Sequence, residues 1–235
     1  MSTQLKFYRR FIAIILVVSI FSCNNTETTN ETPKPADTTS VAAFEAFKLL
    51  MIKHPVADFS KWKTAYIAHD SFRLAHGVSQ YVIGRGLDDS NVVVIMDKIT
   101  DVQKAKDFTA TPDLKNAMQK AGVTGPPAFS YVEVVRNDDS KIEQKDRLMI
   151  AHKVKDFSAW LKVYDEEGKA TRAENGMLDR GLARSVDDSN MVYIVFAITD
   201  MAKAKARLEN EALKKLMLDA GVIGKPEFFF YKRVD

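Results

Sequence analysis

The strongest constraint in this sequence is an internal repeat. An offset of 98 aligns Met51, His54, Val56, Asp58, Phe59, Ser60, Trp62 and Tyr66 with Met149, His152, Val154, Asp156, Phe157, Ser158, Trp160 and Tyr164. An offset of 99 aligns Arg73, Gly77, Arg85, the Asp-Asp-Ser-Asn turn at 88–91, Ala121, Gly122, Gly125 and Pro127 with Arg172, Gly176, Arg184, the same turn at 187–190, Ala220, Gly221, Gly224 and Pro226. The second copy therefore carries one extra residue between Tyr164 and Arg172. At roughly 90 residues, each copy is long enough to bury a core. Two copies make either two separate beads or one fused pair.

Within one copy the pattern reads strand, helix, strand, strand, helix, strand. Residues 49–54 are a short apolar run, and Asp58 or Ser60 can cap the helix that follows. Gly77 is placed to end that helix in a left-handed conformation. Residues 78–87 and 91–98 read as two strands joined by the turn at 88–91, whose Asp, Ser and Asn side chains bond locally to backbone. Thr100 with Gln103 is expected to cap a second helix, which Thr111-Pro112 restarts and Gly122 ends. A last strand begins at Ala128. The order is the ferredoxin-like split βαββαβ. Both 91–96 and 191–198 are apolar on both faces, whereas a sheet covered on one side only should alternate. The expected architecture is an α+β fold, two tandem ferredoxin-like domains packed sheet to sheet as an intramolecular α/β barrel. The domains span 47–136 and 147–235, joined by a polar linker at 137–146. Such an internal pseudo-dimer needs no further oligomer.

The first helix of copy one, residues 58–77, places polar groups on its apolar side. Advancing 100° per residue from Trp62 brings Tyr66, His69, Arg73 and His76 within about 40° of it. Buried charges there must be hydrogen-bonded or line a cavity. Copy two keeps Trp160 and Tyr164, has Glu167 in place of His69, and its extra residue is expected to turn Arg172 about 100° off the stripe unless a bulge absorbs it. His69 and Arg73 are accordingly the candidate catalytic pair, an imidazole beside a fixed cation. Trp62, Tyr66, Trp160, Tyr164, Arg172 and the strand histidines His54 and His152 are candidate ligand-binding residues. Each has a plainer reading: core aromatics, a hydrogen-bonded pair at the helix edge, and satisfied structural histidines. His54, His69 and His76 have no carboxylate or cysteine at ligand spacing, so no metal site is expected. A haem would depend on His69 or His54 as its axial ligand, and no cofactor is expected. The aspartate-rich turns lack the alternate spacing of a calcium loop. No nucleophile elbow, phosphate loop or dinucleotide fingerprint is present.

These residues carry a family resemblance. Asp58-Phe59 with Trp62-Lys63, Tyr66 four residues on, Arg73 with Gly77, Asp88-Asp89-Ser90-Asn91 before an apolar strand, and Ala117 with Ala121-Gly122-Val123 and Gly125-Pro126-Pro127 are similar to the dimeric α/β barrel superfamily. The nearest groups are the antibiotic-biosynthesis-monooxygenase and cyclase-like small domains. The resemblance covers both copies. It implies a pocket within each copy between sheet and helices, and an activity ranging from cofactor-free monooxygenation, haem degradation or ring formation to none known. The leading expectation is binding of a small, partly apolar molecule. The alternatives are a cofactor-independent monooxygenase or cyclase-like enzyme, and a structural module with a filled barrel.

The N-terminus reads as an export signal. Lys6, Arg9 and Arg10 precede an apolar run at 11–21 that is short for a membrane span. Ser22-Cys23 follows, resembling a bacterial lipobox in which Cys23 is lipidated. Residues 1–22 are then a signal peptide, and 23–46, rich in Asn, Thr and Pro, a tether. Lipid on Cys23 places the protein at the bacterial cell envelope, on the outer membrane or a periplasmic face. Cys23 is the only cysteine, so the domains hold together by packing alone. The chain has 34 Lys and Arg against 31 Asp and Glu, and three of the cations fall in the signal. The balanced remainder gives no electrostatic reason for a nucleic-acid partner.

Overall fold

The computed structural model describes residues 44–234. The expected signal peptide, Cys23 and most of the tether lie outside the described residues. Copy one runs β1 (Phe47–Pro55), α1 (Phe59–Ala68), α2 (Asp70–Ala75), β2 (Val78–Gly86), β3 (Val92–Ile99), α3 (Val102–Thr109), α4 (Pro112–Lys120) and β4 (Ala128–Asn137). Copy two repeats it as β5 (Asp146–Val154), α5 (Phe157–Glu167), α6 (Lys169–Glu174), β6 (Met177–Ser185), β7 (Met191–Ile198), α7 (Met201–Glu209), α8 (Glu211–Asp219) and β8 (Val222–Arg233).

The eight strands close into one antiparallel barrel in the order β1-β3-β2-β8-β5-β7-β6-β4. The copies join at two seams, β2 to β8 and β4 to β6, so neither sheet keeps a free edge. This accounts for strands that are apolar on both faces. Leu50, Ile52, Val93 and Ile95 face the helices of copy one, and Leu148, Ile150, Val192 and Ile194 those of copy two. The alternate residues Leu49, Met51, Val94, Met96, Val132 and Met149 meet inside the barrel. There Tyr231 lies directly over Gly84, where a Cβ would come within 2.2 Å of the tyrosine ring. Only glycine lets that ring cross the lumen.

Helix starts follow the capping chemistry. Asp58, Asp156 and Asp200 each accept a hydrogen bond from the main-chain N–H three residues on, and Thr111 caps α4 with proline behind it. Gly77 ends α2 at φ +71°. Two local expectations fail. The second helix is capped by Asp101, which accepts from Lys104 N–H at 2.7 Å; Thr100 instead packs its hydroxyl over Gly77. The long first helix of each copy is also two helices. In copy one it breaks at His69, because the Tyr66 carbonyl accepts from the Arg73 guanidinium and from His69 N–H rather than continuing the i→i−4 ladder.

Candidate functional site

The break brings the stripe together. Arg73 folds back over the Tyr66 ring, its guanidinium carbon 3.6 Å from the ring centre, and Tyr66 stacks on Trp62 at 5.3 Å between centroids. Trp62 in turn meets His54 edge-on. The Tyr66 hydroxyl donates to Asp97 Oδ1 at 2.7 Å. Asp97 lies on β3 in phase with Val93 and Ile95, so its carboxylate enters the helix-facing core and is wholly buried. Burial pushes its pKa up to about 6, against the smaller opposing effects of the Tyr66 hydrogen bond and the Arg73 charge. Burial also raises the Tyr66 pKa, with the Asp97 charge adding to it.

The geometry is left incomplete. Arg73, 4% exposed, pairs with half-exposed Asp70 at 2.8 Å, and among the described residues its Nε and Asp97 Oδ2 have no partner. Both residues line a cavity of about 50 Å³, together with His54, Trp62, Ala65, Tyr66, His69 and, from α4, Ala117 and Met118. That volume admits roughly three or four water-sized groups. His69 is half-buried, its pKa lowered first by burial and then by the Arg73 charge. His76 turns away, its ring packed on Phe72 and Phe108 and its Nδ1 at 2.8 Å from the Phe72 carbonyl. Burial also lowers the pKa of His54. No group of three or more His, Cys, Asp or Glu side chains suited to a metal occurs among the described residues.

Copy two completes the same arrangement. Gly168, at φ +81°, absorbs the extra residue, so Arg172 is not turned away as the spacing suggested but sits 3.9 Å over the Tyr164 ring. Its guanidinium forks onto Asp179 at 2.8 and 2.7 Å, donates to the Tyr164 carbonyl at 2.8 Å and reaches Glu167 at 3.3 Å. Glu167, in the place of His69, also pairs with Arg207 at 2.5 Å. Burial alone would lower the Arg172 pKa; the Asp179 hydrogen bonds and the neighbouring negative charges outweigh it and raise it. His152, edge-on to Trp160, has neither ring nitrogen partnered among the described residues, and burial lowers its pKa to about 4.

The carboxylates occupy opposite members of one strand pair. In copy one Gln80 on β2 faces Asp97 on β3; in copy two Asp179 on β6 faces Phe196 on β7. Each copy thus keeps one strand carboxylate on its tyrosine hydroxyl, from different strands. Neither acid was singled out by sequence reasoning. The available signal was a lone aspartate in phase with apolar residues of a strand, as Asp97 is with Val93 and Ile95.

No family model matches the chain, and no curated relative matches it by sequence. Similarity appears among solved structures. A Fusobacterium nucleatum protein assigned as a monooxygenase is 12% identical, with a TM-score of 0.53 over 82% of this chain and 94% of that one. An anthrone oxidase-like protein is 13% identical, with a TM-score of 0.55 over 80% and 92%. At these identities the likeness is one of fold.

Proposed function

We propose that the first copy binds a small, partly apolar molecule by its polar end, on a protein held at the bacterial cell envelope through lipid on Cys23. The observation that carries this reading is the pair of buried polar atoms, Arg73 Nε and Asp97 Oδ2, that have no partner among the described residues and belong to side chains lining one cavity. An uncompensated buried polar group costs about 1–3 kcal/mol, and a ligand head that bonds both recovers it. The cavity is too narrow for a whole ligand of ordinary size, so the apolar body lies in the cleft between α1 and α4, along Ala65, Ala117 and Met118. Copy two, with Arg172 and Asp179 bonded to each other, serves as its structural partner.

A second reading rests on Asp97. A carboxyl with a pKa of about 6 is a base suited to neutral pH, and Arg73 with Tyr66 would steady an enolate formed when it takes a proton. That is the opening step of a cofactor-independent monooxygenase or cyclase-like reaction.

Native mass spectrometry of protein purified from its source tests binding. A retained small molecule that is lost in Asp97→Asn and His69→Ala but kept in Glu167→Ala supports the reading; equal behaviour of the two copies refutes it. Metabolic labelling with a fatty acid that persists in Cys23→Ser would refute the anchor.

A further inference from the structure

The lumen of the barrel holds a second, larger cavity, of about 500 Å³, at the end crossed by the linker between the copies. That is the size of an ordinary small-molecule pocket. It is separate from the cleft beneath α1, being on the opposite face of the sheet, and Tyr231 over Gly84 forms its floor.

The two copies line it with opposite chemistry. Residues at equivalent places in the repeat are Leu49 and Arg147, Tyr81 and Arg180, and Val134 and Arg233, and all six face the cavity. Phe47 and Lys145 form a fourth such pair at the rim. At these four places copy one supplies apolar and aromatic side chains and copy two cations, amid a lining that is otherwise largely apolar in both. Tyr81 and Arg180 are both the extra residues of β-bulges, which aim their side chains at the mouth.

The charge on that wall is only partly met. Arg147 is 6% exposed, yet its Nη1 donates to two neutral main-chain carbonyls, of Gln144 at 2.6 Å and Asp146 at 3.0 Å. Among the described residues no carboxylate oxygen lies within ion-pair distance of it. Burial lowers its pKa, Tyr231 opposes this, the nearby Arg180 and Arg233 charges press the same way as burial, and Asp146 opposes them more weakly. Arg180 is held by the linker, through Ser140 at 3.1 and 2.7 Å and Asp138 at 3.3 Å. Five cations and two carboxylates line the cavity in all. A barrel packed only for stability gains nothing from a buried, uncompensated guanidinium facing a void.

We infer that the lumen is a binding site for an amphipathic anion, an apolar chain or ring carrying a single carboxylate, with its body against Leu49, Met51 and Met96 and its head on Arg147 and Arg180. The linker crosses the mouth as a strap, with half-buried Ile142 turned to the ligand. The site is independent of Asp97 and its cleft.

Calorimetric titration of the full chain with dodecanoate, and with dodecanol as the uncharged analogue, tests the assignment. Dodecanoate is expected to bind with 1:1 stoichiometry and at least about tenfold more tightly than dodecanol, the difference that one charge-assisted pair supplies. Arg147→Leu, which installs the residue copy one already has at Leu49, should abolish that difference while leaving dodecanol binding unchanged. Arg180→Gln, at the more exposed mouth, should reduce it several-fold and serves as the reading if Arg147→Leu does not fold. Asp97→Asn should leave dodecanoate binding untouched, which separates this site from the cleft. Equal affinity for acid and alcohol, or full dodecanoate affinity in Arg147→Leu or in Arg180→Gln, would overturn the inference.

Discussion

Tyr66 with Arg73 and Tyr164 with Arg172 are the same construction placed in two settings. In both, an arginine enters a helix break, bonds the carbonyl of the tyrosine about two turns back and lies flat over its ring. The second copy closes the charge account, with Asp179 and Glu167 both on Arg172. The first leaves it open, with Arg73 drawn outward to Asp70 and Asp97 held by a hydroxyl alone. Moving one carboxylate across a strand pair is enough to turn a structural ion pair into an unfilled polar pocket.

The comparison breaks most visibly at the arginines. Arg172→Met strands Asp179 in the interior and leaves Glu167 to Arg207 alone, an expected loss of about 3–5 kcal/mol in chemical unfolding. Arg73→Met frees an already half-exposed Asp70 and removes one ring contact, so about 1 kcal/mol is expected. Losses of equal size would erase the distinction.

A smaller effect is read from pH. Asp97 titrates near 6 when folded and near 3.8 when unfolded, so between those values the folded state holds the extra proton. Its contribution to stability therefore falls as pH rises through that window, by about 3 kcal/mol, and Asp97→Asn should remove this slope. His152 in copy two has the opposite sign. Its folded pKa of about 4 lies below the ordinary 6.5, so its contribution is complete above 6.5 and is lost as pH falls toward 4. His152→Leu should flatten that second slope, a change of up to about 3 kcal/mol in unfolding free energies taken across the range. Because the two slopes oppose each other, the intact protein should show less pH dependence than either variant. A slope unchanged in Asp97→Asn would show that the carboxyl is not perturbed.

The fold was legible because its signals are local or periodic. Apolar residues on both faces of β3 and β7 required a covered second face, and the repeat supplied what covers it. The helix break was not legible, because it depends on a side chain seven residues beyond Tyr66 reaching the Tyr66 carbonyl. The place of Arg172 turns on whether an irregularity absorbs the extra residue, which spacing leaves open and Gly168 decides. Thr100 and Asp101 both offer a capping oxygen, and only the close approach of Gly77 decides between them. At the site, Trp62, Tyr66, His69 and Arg73 could be grouped by helical spacing alone. Asp97 and the lumen cations could not, since their meaning comes from strand pairing between segments far apart in sequence.

The most direct measurement sets Asp97→Asn beside Asp179→Asn at pH 7 and compares their unfolding free energies. Asp179→Asn is expected to lose about 3 kcal/mol, because Arg172 loses its fork. Asp97→Asn is expected to lose nothing and to gain up to about 2 kcal/mol, because a buried, half-bonded charge is removed while Tyr66 keeps an acceptor. A loss in Asp97→Asn as large as that in Asp179→Asn would contradict an open site in the first copy.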